Sequence, residues 1–134
     1  QARAVSSAAR ATALSDTRYR NGYVSQLDLL PARLREQSLS KREIVLPVGA
    51  ALEALDLLEA QGVYILGWEG WVKDETGRHG HGTAPQGWST DVNRHSVREA
   101  AELCRCTIPR DAEQWAKDHP GTTDQLHICI TVRA

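Results

Sequence analysis

The chain has 134 residues, of which 41% are hydrophobic and 25% charged, and its formal net charge is -1. This length suits one domain and is too short for two well-cored ones, and the composition excludes wholesale disorder. The near-neutral charge argues against nonspecific binding to nucleic acid or an anionic membrane, and no apolar run approaches the roughly 18 residues that span a bilayer.

The cysteine content indicates a reducing environment. The three cysteines, Cys104, Cys106 and Cys129, cannot all pair within one chain. The N-terminal stretch lacks the compact apolar segment of a signal peptide. Together these features favour free thiols and a cytoplasmic location.

The first part of the chain differs in character from the rest. Residues 1–26 are rich in Ala, Ser and Arg and lack an apolar stripe, so they are predicted to form an N-terminal arm. An Asn-Gly dipeptide at positions 21 and 22 is typical of hairpin turns, although its flanks alternate poorly. Residues 27–134 are predicted to form the folded domain, with a short helix and a loop delimited by Pro31 and Pro47.

The strongest helical pattern lies in GAALEALDLLEAQG, for which a helix is predicted over residues 51–61. Its apolar side chains recur with helical spacing, and the glycine at position 62 suits a C-cap. The acidic residues of this helix, spaced by three, form a stripe opposite the leucines: Glu53, Asp56 and Glu59.

The segment ILGWEGWVKDETGRHGHG admits two interpretations, a metal or catalytic loop, or a strand and hairpin that present a surface. Strand-forming residues dominate positions 63–73, which favours the second. In a regular strand Leu66, Trp68 and Val72 share an apolar, core-facing side, while Glu69 and Trp71 lie on the other, half-exposed side. A bulge at one of the glycines would exchange the two sides.

The remaining elements complete an α+β pattern. Ser96 and Glu99 form a capping box before a helix predicted over residues 97–105, and Asp111 is predicted to cap a separate short helix that carries Trp115. Residues 126–132 alternate as a half-buried strand. The prediction is a single α+β domain in which a small antiparallel sheet, including 63–73 and 126–132, packs against two or three helices.

A small enzyme or a metal-binding protein is the alternative function, and it would use His79, His81, His127 and Cys129. Structural zinc sites use three or four converging ligands in close pairs, and these spacings dictate no such set. A Cys/His nucleophile lacks an orienting third residue here. The sequence therefore predicts no metal, no cofactor and no catalytic residue. An Ala-rich arm that mediates assembly is a third, structural interpretation.

An interaction surface remains as the main functional candidate. Trp71 would be surrounded by the carboxylates of Glu69, Asp74 and Glu75. Aromatic anchors bordered by polar groups are what protein interfaces favour energetically.

The motifs ILGWEGW, the following Gly-His, QGWS, AAELCRCTI and the terminal CIT strand resemble the immunity protein 40 family of bacterial polymorphic toxin systems, over roughly residues 27–134. The resemblance implies a cytoplasmic protein that binds and neutralises a cognate secreted toxin without catalysis. It carries no established functional residues. The expected toxin-binding residues are therefore those of the chain's own acidic and aromatic surface: Glu53, Asp56, Glu59, Glu69, Trp71, Asp74 and Glu75.

Overall fold

The computed structural model of the chain describes residues 25–133. The predicted arm therefore lies outside the described residues except for its last two positions, as does the Asn-Gly dipeptide at 21 and 22. Gln26 already belongs to the folded part, since its side chain accepts a hydrogen bond from the backbone N–H of Val132. Within this part of the chain, no helix is both long and apolar enough to cross a membrane.

The described residues form five strands and three α-helices, preceded by a 3-10 helix at Gln26–Leu29. The helices are α1 at Ala32–Arg35, α2 at Val48–Ala60 and α3 at Val97–Asp118. The strands are β1 at Ile44–Pro47, β2 at Ile65–Lys73, β3 at His79–Gly80, β4 at Trp88–Ser89 and β5 at Gln125–Val132.

The strands form one antiparallel sheet in the order β1-β5-β2-β3, and β4 pairs with the first half of β2. The last strand in the chain is thus the central one, bonded to β1 on one side and β2 on the other. The α+β class and the antiparallel sheet confirm the fold predicted from the sequence.

The two long helices pack against one side of this sheet, which we call the helix face. Ile128 and Ile130 of β5 share the main core with Leu55 of α2 and Ile108 of α3. The alternate residues of β5 lie on the opposite side, which we call the open face. At its centre His127 and Cys129 are 4% and 1% exposed, so this strand is buried on both sides and not only on one.

A β-bulge at Leu66 corrects part of the predicted strand. Ile65 pairs with Val132 and Gly67 with Thr131, so Leu66 is an extra residue in β2. The bulge reverses the predicted sides upstream, because it shifts the two-residue alternation by one position. Ile65 is therefore in the core and Leu66 is only partly buried.

The helix after the Ser96 capping box is longer than predicted. The box is present, with Ser96 accepting from the backbone N–H of Glu99. The predicted break and second helix are wrong, because α3 continues through Pro109 to Asp118. Pro109 is exposed, and buried residues at helical spacing, from Cys104 to Trp115, continue past it. Burial of this stripe outweighs the one backbone hydrogen bond that proline removes.

Trp68 joins the sheet to α3 through a buried hydrogen bond. Its side chain is 4% exposed, as the strand pattern predicted. The indole Nε1–H donates to Oγ1 of Thr107 at 2.8 Å, and the Thr107 hydroxyl donates to the carbonyl of Leu103 at 2.8 Å. Both polar groups are satisfied without water.

We expect Thr107→Val to lower the free energy of unfolding by about 1–3 kcal/mol, because it leaves the buried indole N–H of Trp68 without an acceptor. Thr107→Ser is the matched control, since it keeps the hydroxyl. Urea unfolding measures the difference, and a valine variant as stable as the serine variant would contradict the importance of this bond.

Candidate functional site

The open face carries an aromatic cluster centred on Trp71. Trp71 lies opposite His127 of β5, and β3 on its other side brings the two loop histidines to the same ring. His79 stacks on Trp71 with ring centroids 5.4 Å apart, and His81 meets it edge-on at 5.7 Å. The indole is thereby held in one orientation while remaining partly exposed.

Glu69 fixes the polar edge of the same tryptophan. Trp71 Nε1–H donates to Oε2 of Glu69 at 3.2 Å, and Nε2 of His81 lies 3.9 Å from that oxygen. Both contacts use Oε2, so Oε1 has no hydrogen bond within residues 25–133. The structure thus brings Glu69 and Trp71, which were predicted on the same side of the strand, into direct contact.

His127 and Cys129 form the buried floor of the open face. Burial lowers the pKa of His127, and the nearby Lys73 and His79 act in the same direction, whereas the hydrogen bond with the Gln125 carbonyl opposes them. Burial raises the pKa of Cys129 to about 12, reinforced by the charge of Glu43, whose Oε1 lies 3.7 Å from Sγ.

The environment of Cys129 does not suit a nucleophile. A nucleophilic cysteine needs a lowered pKa, and the pKa of Cys129 is raised. His79 and His81 direct their rings at Trp71. In the part of the chain that the structure describes, no group of three or more His, Cys, Asp or Glu side chains could hold a metal ion.

The acidic stripe of α2 lies on the helix side of the sheet and is bound to arginines. Glu53 pairs with Arg33, and this ion pair lowers the pKa of Glu53. Asp56 lies 3.0 Å from Arg105 of α3, which also binds Glu59. The three carboxylates therefore tie α2 to its neighbours, and the structure does not bring them near Trp71.

Asp74 and Glu75 lie in the turn between β2 and β3. Oδ1 of Asp74 accepts hydrogen bonds from the backbone and hydroxyl of Thr76 and from the backbone of Arg78. These bonds, led by the Thr76 hydroxyl, lower the pKa of Asp74. Asp74 thus organises the turn, while Glu75 is exposed beside it.

A pocket next to Glu69 was not predicted from the sequence. It has a volume of about 410 Å³, and its lining includes Glu69, Gln86, Trp88 and Thr131. It lies where β4 and the residue before it pair closely with β2, at two glycines. A Cβ on Gly67 would lie 2.4 Å from the Trp88 carbonyl oxygen, and one on Gly87 would lie 1.8 Å from that of Trp68. The only sequence feature that could have indicated this pocket was the Gly-Trp pair at 87 and 88.

Trp88 is among the residues that line this Glu69 pocket and is 42% exposed, but its indole lies on the helix side of the sheet because Trp88 pairs directly with Trp68. Its Nε1–H donates to Oδ2 of Asp111 at 2.9 Å, and the guanidinium of Arg110 lies 5.0 Å from its ring centroid. Asp111, predicted to cap a helix, instead fixes Trp88 from inside α3. Trp88 therefore links β4 to the long helix.

We expect Gly87→Ala to destabilise the fold by about 2 kcal/mol or more, because the added methyl overlaps the β2 backbone and the residue has a φ of +96°. Gly49→Ala is the matched control, since nothing lies within 4 Å and the position is helical. That variant should be neutral or more stable by up to about 1 kcal/mol. Thermal unfolding of both variants measures the contrast, and equal midpoints would contradict the close backbone approach at Gly87.

The buried thiols predict a loss of stability at alkaline pH. Burial raises the pKa of Cys104 and of Cys129 from 9.0 to about 12. Between these values the unfolded chain has released thiol protons that the folded chain retains, so folding stability is complete below pH 9 and falls as the pH rises. Denaturant titrations at several pH values should show a shallower fall for Cys129→Ala. An identical slope in both proteins would contradict the assignment.

Comparisons with known proteins give no relative for this chain. No protein-family model, no curated protein and no solved structure matches it.

Proposed function

We propose that this protein is an immunity protein, which binds a cognate bacterial toxin in the cytoplasm and neutralises it by occlusion. The observation that carries the proposal is the preorganised Trp71 on the open face. The motifs that resemble immunity protein 40 sequences contribute residues of this cluster. ILGWEGW supplies Glu69 and Trp71, and the following Gly-His supplies His81.

The geometry of Trp71 suits an interface anchor. A partner that binds a side chain already held in one rotamer loses less conformational entropy than one that must order it. Glu69, His79 and His81 hold the indole from its edge and faces. Tryptophans in such positions contribute much of the binding energy of protein complexes.

The charges around Trp71 favour a basic partner. Glu69 lies beside the ring, and Asp74 and Glu75 lie in the turn at the end of the same strand. A toxin that acts on nucleic acid or another anionic substrate would carry a basic cleft, and complementary charge would speed its encounter with this surface.

We expect Trp71→Ala to weaken binding of the protein encoded immediately upstream by about 30-fold or more, corresponding to about 2 kcal/mol, chiefly through faster dissociation. Glu75→Lys should act chiefly on the association rate and its salt dependence. Surface plasmon resonance measures both, and protection of cells from the toxin should follow the affinities.

Glu113→Lys is the control for charge reversal, because Glu113 is exposed on α3 and pairs only with Lys117 among the described residues. Glu53→Lys and Asp56→Lys test the helix stripe, with unfolding measured in parallel because both changes break ion pairs with arginines. Folded variants of Trp71, Glu69, Asp74 and Glu75 that bind like wild type would place the interface elsewhere. Failure of the wild-type protein to bind any neighbouring toxin would contradict the function itself.

A further inference from the structure

The Glu69 pocket lies next to the Trp71 anchor and has the size of a side-chain binding site. Its volume of about 410 Å³ falls within the range of small-molecule pockets. Glu69 and Thr131 face it from neighbouring strands of the open face, and Gln86 faces it from the segment before β4. Glu69 therefore belongs to both sites, since it contacts Trp71 through Oε2 and also lines the pocket.

The pocket is complementary to a cation. Glu69 is the one charged residue in its lining. Arg110, which lies over the Trp88 ring on the helix side, is paired with Asp111, since Nε of Arg110 is 3.2 Å from Oδ1. The local charge is therefore that of the Glu69 carboxylate.

The acceptors of the pocket suit a planar, multidentate donor. Within the described residues, neither Oε1 of Glu69, the Thr131 hydroxyl nor the Gln86 amide is engaged in a hydrogen bond, and each can accept one. A guanidinium presents five N–H donors in a plane, whereas an ammonium is a compact and strongly hydrated charge.

We infer that the Glu69 pocket receives an arginine side chain of the partner protein, beside the contact made by Trp71. This assignment rests on the proposed function for the identity of the partner, but the pocket's preference can be measured without it. The open face would then combine an aromatic anchor, which the protein supplies, with a cationic anchor, which the partner supplies.

The test uses the full chain, labelled with ¹⁵N, and three small probes in low-salt buffer: the N-acetyl methylamides of arginine, lysine and citrulline. We expect the arginine probe to shift the amide signals of Gly67, Ser89 and Thr131, which line the pocket, with saturation in the millimolar range. The lysine probe should bind several-fold more weakly, and the citrulline probe, which is planar but neutral, should bind at least tenfold more weakly.

Glu69→Gln should weaken the arginine probe at least tenfold, and Thr131→Val about threefold. The glutamine is isosteric and still accepts from Trp71, and Thr131 is exposed, so both variants should fold. Glu113→Gln, on the far part of α3, should leave binding unchanged. Equal shifts with arginine and citrulline, tighter binding of lysine, or unaltered binding to Glu69→Gln would each overturn the inference.

The two proposals fail separately. If the arginine probe binds at Glu69 but no toxin does, the immunity function is wrong and the pocket preference holds. If the toxin binds Glu69→Gln as tightly as wild type but loses affinity for Trp71→Ala, the function holds and the arginine assignment is wrong.

Discussion

The inward position of Trp68 determines which side chains the protein presents. Its indole is held in the core by a buried hydrogen bond to the hydroxyl of Thr107 on α3. Because side chains alternate along a strand, an inward Trp68 places Glu69 and Trp71 on the open face. The bulge at Leu66 makes this compatible with a buried Ile65, which an unbroken strand would have turned away from the helices. One buried hydrogen bond and one extra residue thus set the orientation of the whole candidate surface.

The fold class and the main elements could be predicted because their signals are local and periodic. Each pattern lies within a single helix or strand: the leucine stripe of α2, the Ser96 capping box and the alternation of β5. The predictions failed where a distant contact overrides the local rule. Pro109 ends a helix in isolation, but the continued burial of α3 from Cys104 to Trp115 keeps it helical. The position of the bulge depends on pairing with β5, which lies some sixty residues later in the chain.

The candidate site was predictable only in part, for a similar reason. Glu69 and Trp71 are close in sequence and share a strand side, so their association follows from the alternation alone. His79 and His81 reach Trp71 only because β3 returns beside β2. The Glu69 pocket depends on the close pairing of β4 with β2 at Gly67 and Gly87, and apart from the Gly-Trp pair at 87 and 88 the sequence contains no pattern for that pairing.

Charge patterns along a single helix are a weak guide to a binding surface. The stripe of Glu53, Asp56 and Glu59 looks available on a helical projection, yet Arg33 and Arg105 come from other elements to meet it. The pKa of Arg105 is raised, chiefly by its hydrogen bond to Glu59. Arg105 therefore stays charged and links α3 to α2 through ion pairs with Glu59 and Asp56. A partner that used this stripe would have to replace these pairs, and leaving one member of a partly buried pair without its partner is unfavourable.

Glu69 differs because its contacts with Trp71 and His81 are made through one oxygen only. A donor can therefore bind the other oxygen while the tryptophan remains in place. This is why the open face suits a partner better than the helix stripe does.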